Sequence, residues 1–138
     1  MSFLYDKYRD KANNGDISWR DDDICFVLLD ITKYTADSAG DEFLSDIPED
    51  ARVAVSAAVG GKSSTAGAVD CDDPVFENVP ATDPPTECAA AAVFRNTGDP
   101  ATSDLISYHD EGADLPLTPN DGDLTLRISN GVNKLFRR

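Results

Sequence analysis

Residues 123–136 read DLTLRISNGVNKLF. Leu124, Leu126 and Ile128 alternate with Thr125, Arg127 and Ser129, the period of two that gives a strand one buried and one wet face. Asn130-Gly131 follows. This pair is a strong two-residue hairpin signal, because a type I′ turn needs positive φ at both central positions. Val132 to Phe136 then returns as the partner strand. The stretch predicts an antiparallel hairpin closing a β domain.

Working back from it, short apolar runs alternate with turn residues. Ile24 to Leu29 is a continuous apolar run between charges, the pattern of a central strand covered on both faces. Arg52 to Val59 alternates, with Val53, Val55, Ala57 and Val59 assigned to one face. Ala66 to Val79 reads as two strand pieces with a bend at Asp72-Asp73-Pro74. Glu87 to Arg95 is an Ala-rich strand, suited to packing against something bulky such as Trp19 or the N-terminal helix. Leu105 to His109 is a further strand. The expected fold is all-β: an antiparallel, jelly-roll-like β-sandwich of about seven to eight short strands with a short N-terminal helix. That helix is expected over residues 2–14, capped by Ser2 and ended by Asn14-Gly15. Residues 1–15 would dock on their own domain or on a neighbouring subunit, and residues 16–138 form the single sandwich domain.

The chain has 138 residues and carries 26 Asp and Glu against 12 Lys and Arg, a net charge of −14. An acidic surface repels phosphate backbones, which argues against nucleic-acid binding. Two explanations of the acidity stand side by side: a solubilising surface, or adaptation to high salt, where screening removes the self-repulsion. No run approaches the ~20 apolar residues of a membrane span, and charges appear at once after Met1, unlike a secretory signal. The expectation is a soluble chain made in the cytoplasm, with no membrane association.

Chemistry-bearing constellations are sparse. Cys25, Cys71 and Cys88 lack metal-ligand spacing, and Cys25 and Cys88 read as small buried hydrophobes. One disulfide among the three is open. His109 is the only histidine, placed as an ordinary strand residue, and no G-x-S-x-G elbow is present. Asp21-Asp22-Asp23 lacks the glycine and distant glutamate of a calcium loop and reads as a solvated strand entrance. Gly60-Gly61-Lys62-Ser63-Ser64 lacks phosphate-loop spacing, since Ser56 stands where the first glycine belongs. No catalytic, metal or cofactor site is assigned, and no cofactor is expected.

A series of signatures runs along the chain in order. Leu4 to Lys7 and Gly15 to Trp19 come first, then Leu28 to Thr35, Glu42 to Ala54, Gly61 to Gly67 and Thr97 to Tyr108, and finally Leu115 to Phe136. Taken together, these segments resemble a widespread family of small virion structural proteins in tailed viruses of bacteria and archaea. Pro74 within the Asp-Asp-Val step and the alanine run depart from that pattern. The resemblance implies a non-enzymatic building block of the particle, located in the virion. It would be head decoration or turret first, with a neck or tail component as the alternative, and the acidity would fit a salt-loving archaeal host. It also implies other copies of itself and other virion proteins as partners, hence a homo-oligomer. The candidate interface residues are Phe3, Leu4, Tyr5 and Tyr8, the loop from Pro80 to Pro85, and the basic end Arg137-Arg138. A host-glycan-binding sandwich is the alternative from another class, although Trp19 is the only tryptophan available for a sugar platform.

Overall fold

The computed structural model describes residues 2–82, 84–111, 114–128 and 135–137. The protein is mostly β. Its largest sheet has five antiparallel strands in the order β1 (Phe3–Leu4), β8 (Leu105–His109), β7 (Ala90–Arg95), β2 (Ile24–Leu29) and β3 (Arg52–Val55). A second sheet runs β10 (Phe136–Arg137), β5 (Ala68–Asp70), β4 (Ser63–Thr65), and a third pairs β6 (Val75–Phe76) with β9 (Leu124–Thr125). The described residues therefore hold ten strands rather than seven or eight, several of them only two residues long.

The middle of the large sheet follows from composition. All six residues of β2 are buried, as are all five of β8 and all of β7 except Arg95. A strand covered on both faces has no wet side, so β2 is written as an unbroken apolar run, while β8 buries Ser107 and His109 hydrogen-bonded to each other. The alanines of β7 have weak strand propensity, but register gives them a place. Ala92 lies between Val27 and Tyr108, and Ala91 between Leu28 and His109. Small residues in the middle strand sit beside large ones on both neighbours, so bulk alternates across the sheet. Trp19, expected against this strand, instead meets the Phe136 ring edge-on at 5.6 Å and donates its indole N–H to the Asp70 carbonyl at 3.3 Å.

The N-terminus departs from expectation. Phe3 and Leu4 form a strand, pairing with Tyr108 and Ser107, and the Tyr5 N–H donates to the Ile106 carbonyl at 3.0 Å. Sheet pairing thus claims the backbone as far as Tyr5, and helix α1 spans only Asp6–Asn13, with no side-chain cap at its start. Its end follows the sequence signal. Gly15 adopts φ +81°, its N–H reaches the Ala12 carbonyl at 3.2 Å, and the Asp16 N–H reaches Lys11 at 2.8 Å. Those two bonds satisfy the last helical carbonyls in a Schellman arrangement. Since β1 is an edge strand of the large sheet, β1 and the helix that follows it are built into the fold of their own chain.

The alternation expected over Arg52 to Val59 is only partly realised. Val55 is 49 % exposed, whereas Ser56 is buried. Register slips between Leu28 and Leu29, and past Val55 the Ser56 hydroxyl takes the Phe26 N–H at 3.0 Å. A hydroxyl standing in for a ladder carbonyl pulls the serine inward and turns its neighbours out. The turn at Asn130-Gly131 lies outside the described residues. The described parts of the two runs flanking it pair elsewhere: Leu124–Thr125 with β6 and Phe136–Arg137 with β5. Each is claimed by an earlier strand rather than by the other.

Candidate interaction surface

Four of the interface candidates sit at the seam between α1, β1 and β8. The Phe3 ring stacks on Tyr108 at 5.1 Å and meets Tyr5 edge-on at 5.3 Å. Tyr8 is buried and meets Phe136 edge-on at 6.0 Å. Tyr5 is fully buried, and its hydroxyl shares a hydrogen bond of 2.9 Å with Tyr34, which donates to Asp41 at 2.6 Å. Burial, reinforced by Asp41, pushes both phenols well above their ordinary pKa and keeps them neutral. Leu4, Tyr5 and Tyr8 are thus spent on the core of their own chain, and Phe3 retains only partial exposure. This corrects the sequence-based assignment: an amphipathic pattern shows that a face is covered, not by what. Arg138 and the Arg137 side chain lie outside the described residues. The described residues of the Pro80 to Pro85 loop are exposed.

Beside this seam lies an ionic cluster that sequence spacing does not reveal. Asp104 is buried, just before β8, and receives the Lys11 ammonium from α1. The Arg95 guanidinium stands 2.7 Å from its other carboxylate oxygen, outside hydrogen-bond geometry. Lys11 also donates to Glu42 at 2.7 Å and sits 4.4 Å from the centre of the Phe43 ring. Burial alone would lower the Lys11 pKa, but its hydrogen bonds to Asp104 and Glu42 carry it above the ordinary value. The cluster joins the helix, β7 and the segment leading into β8. Its one sequence trace is a carboxylate set directly against the apolar run Leu105-Ile106.

Reactive groups are enclosed or engaged. His109 Nε2 shares a 2.8 Å hydrogen bond with the Ser107 hydroxyl, and Ser107 is completely buried, out of reach of a substrate. Burial lowers the His109 pKa to about 4, so the ring is neutral at pH 7. All three cysteines are free and buried. Burial raises Cys71, aided by Asp70 and Asp72, to about 12 and Cys88 to about 11, leaving both as thiols. The Gly60-Gly61-Lys62 turn serves the fold. Gly61 has φ +63°, and a Cβ there would fall 2.3 Å from an Asp72 carboxylate oxygen. Lys62 donates to the Asp22 carbonyl. Among the described residues, no group of three or more His, Cys, Asp or Glu side chains is arranged to hold a metal ion. No described helix is long and apolar enough to cross a membrane.

Among the described residues, shallow surface clefts include a pair of about 310 Å³ each. One is lined by Asp30, Lys33, Asp50, Val53, Val79 and Pro80, the other by Phe3, Arg9, His109, Leu135 and Phe136. In the first, a lysine shares the wall with two carboxylates; in the second, Arg9 is paired with Asp6 at 2.6 Å. Among the described residues, the large exposed hydrophobic side chains are Ile31, Val55 and Val75. Comparison with family models finds no match to this sequence, and no curated protein matches it.

Proposed function

We propose that this chain is a non-enzymatic structural component of a tailed-virus particle, a β-sandwich assembled in multiple copies. Capsid decoration or turret is the favoured position. The observation that carries the proposal is where the family-like signature residues fall in the fold. Tyr5, Tyr34 and Tyr108 build the aromatic seam, and Trp19 bridges to Asp70 and Phe136. Asp30 turns the chain after β2 by accepting the Thr32 N–H and hydroxyl at 3.0 and 2.7 Å. Leu44, Ile47, Ala51, Leu105 and Ile106 are buried. Most of these residues are engaged in holding strands together, which is what a building block requires; Asp30, Lys33, Asp50 and Val53, from the same segments, also line the first cleft. The three antiparallel sheets fit the layered sandwich.

Purified particles of the source virus test the reading. Quantitative mass spectrometry of gradient-purified virions should find this chain at many copies per particle, and antibody labelling should decorate the head exterior. Virions that lack the chain would end the proposal. Labelling confined to the neck or tail would move the component there.

A further inference from the structure

We infer that the cleft lined by Asp30, Asp50 and Val53 receives a cationic side chain, an arginine or a lysine, of a partner protein. The inference rests on the reading of the chain as an assembly component and names the chemistry of what it meets. Three segments form the walls. Asp30 and Lys33 come from the turn after β2, Asp50 and Val53 from the entry to β3 and the strand itself, and Val79 and Pro80 from the chain after β6. Backbone bonds fix two of them: the Asp30 N–H donates to the Ala51 carbonyl at 2.9 Å, and the Val79 N–H to the Gly122 carbonyl at 3.1 Å.

Asp30 is the residue that points to a ligand. It is only 8 % exposed, and its Oδ1 accepts both the Thr32 N–H and the Thr32 hydroxyl. Its Oδ2 has no hydrogen-bond or ion-pair partner among the described residues. The Thr32 hydroxyl bond outweighs burial and holds the Asp30 pKa below its ordinary value, so the group stays charged. A carboxylate this enclosed is ordinarily matched by a counter-charge. Asp50, exposed on the same cleft, also lacks a partner among the described residues.

The remaining wall selects the occupant. Val53, Val79 and Pro80 make it aliphatic. An arginine or lysine joins the two matching parts in one side chain, an apolar stem that packs on such a wall and a cationic head that pairs with carboxylates. A hard metal ion would need more oxygens than two carboxylates supply. The net charge of −14 draws a cationic partner from a distance. Lys33 opposes such a guest: it is exposed and makes no ion pair among the described residues.

Titration of the whole isotope-labelled chain with N-acetyl-arginine amide, whose guanidinium is its single charge, tests the inference by NMR at low salt. Amide shifts should saturate and concentrate around Asp30, Lys33, Asp50 and Val79, and the neutral citrulline analogue should produce none. Asp50→Asn should weaken binding about threefold, as should Asp30→Asn, which keeps an oxygen for Thr32. Asp50 is exposed, so its variant carries the test if Asp30→Asn disturbs the turn. Lys33→Met should tighten binding about twofold. Glu49→Gln, an equal charge lost at an exposed residue outside the cleft, should change it little. Shifts that do not saturate or that spread over the whole acidic surface would overturn the inference, as would Glu49→Gln costing as much as Asp50→Asn. Weaker binding to Lys33→Met would show that the guest brings an anion, and would overturn it too. None of these results touches the virion reading, which is decided by the composition of purified particles.

Discussion

The three middle strands of the large sheet and the strands of the two small sheets solve the same problem differently. In β2, β7 and β8 nearly every side chain is enclosed, whichever face it points to. In β6 and β9 one residue is buried and its neighbour exposed, and β4 is exposed throughout. The first group is held by packing on both faces. The second depends on backbone pairing and on single anchors such as Phe76, Phe136 and Val69. Stability is therefore concentrated in the middle strands, while the periphery carries the surface that another molecule can meet.

The strongest attempt to break this contrast is Phe94→Ala in β7. It should cost about 3–5 kcal/mol of unfolding free energy, as for large-to-small aromatic truncations in packed cores, measured by urea denaturation. A loss under 1 kcal/mol would show that the middle is loosely packed. His109 offers a test by pH. Its folded pKa of about 4 lies below the unfolded value of 6.5, so on acidification the unfolded chain takes up a proton that the folded chain refuses. Stability should fall between pH 6.5 and 4 by about 3 kcal/mol, at ~1.4 kcal/mol per pKa unit. His109→Gln should remove that slope, and an unchanged slope would mean that this ring is already solvated.

Asp104→Ala should cost about 1.5–3 kcal/mol, the scale of hydrogen bonds to charged groups, since Lys11 and Arg95 lose a shared partner. It also bears on the alkaline side. The raised Lys11 pKa supplies stability that is complete below the unfolded value of 10.5 and lost as pH rises through the folded one. The variant should lose stability less steeply above pH 10.5 than the unaltered chain. Equal slopes would detach Lys11 from the cluster. The smallest effect is expected at the periphery. Val69→Ala in β5 should cost about 1–2 kcal/mol, from two methylene equivalents at ~0.8 kcal/mol each. If it matched Phe94→Ala, the contrast between centre and periphery would fail.

Legibility in the sequence follows the same division. Ile24 to Leu29 announced a central strand because two-sided burial leaves a signal in consecutive residues. Leu105 to His109 was readable as a strand, but Ser107 and His109 within it hid the burial of both faces, and Gly15 marked the helix end through its backbone freedom. Ser63 to Thr65 was not readable, because an exposed polar strand has neither alternation nor apolar run and exists only by pairing with β5. Phe3-Leu4 looked helical because its sheet partner, Ser107-Tyr108, lies far along the chain. The ionic cluster escaped for a related reason: Lys11 and Asp104 are 93 residues apart. The aromatic seam was seen as an apolar face, but its partner was left open between the same chain and another. Local patterns record burial; they do not record the neighbour.

The strand order β1-β8-β7-β2-β3 has a consequence for how the molecule comes into being. One of its end strands, β1, leaves the ribosome before the other strands described, yet it pairs with one ending at His109. Ile24 to Leu29 likewise waits for Ala90 to Arg95. The chain as far as His109 must therefore be synthesised before the hydrophobic middle can close, and until then β2 is an open, sticky ribbon. Partial products lacking β7 and β8 have nothing to shield it, so the chain's hazard during production lies in aggregation of incomplete copies.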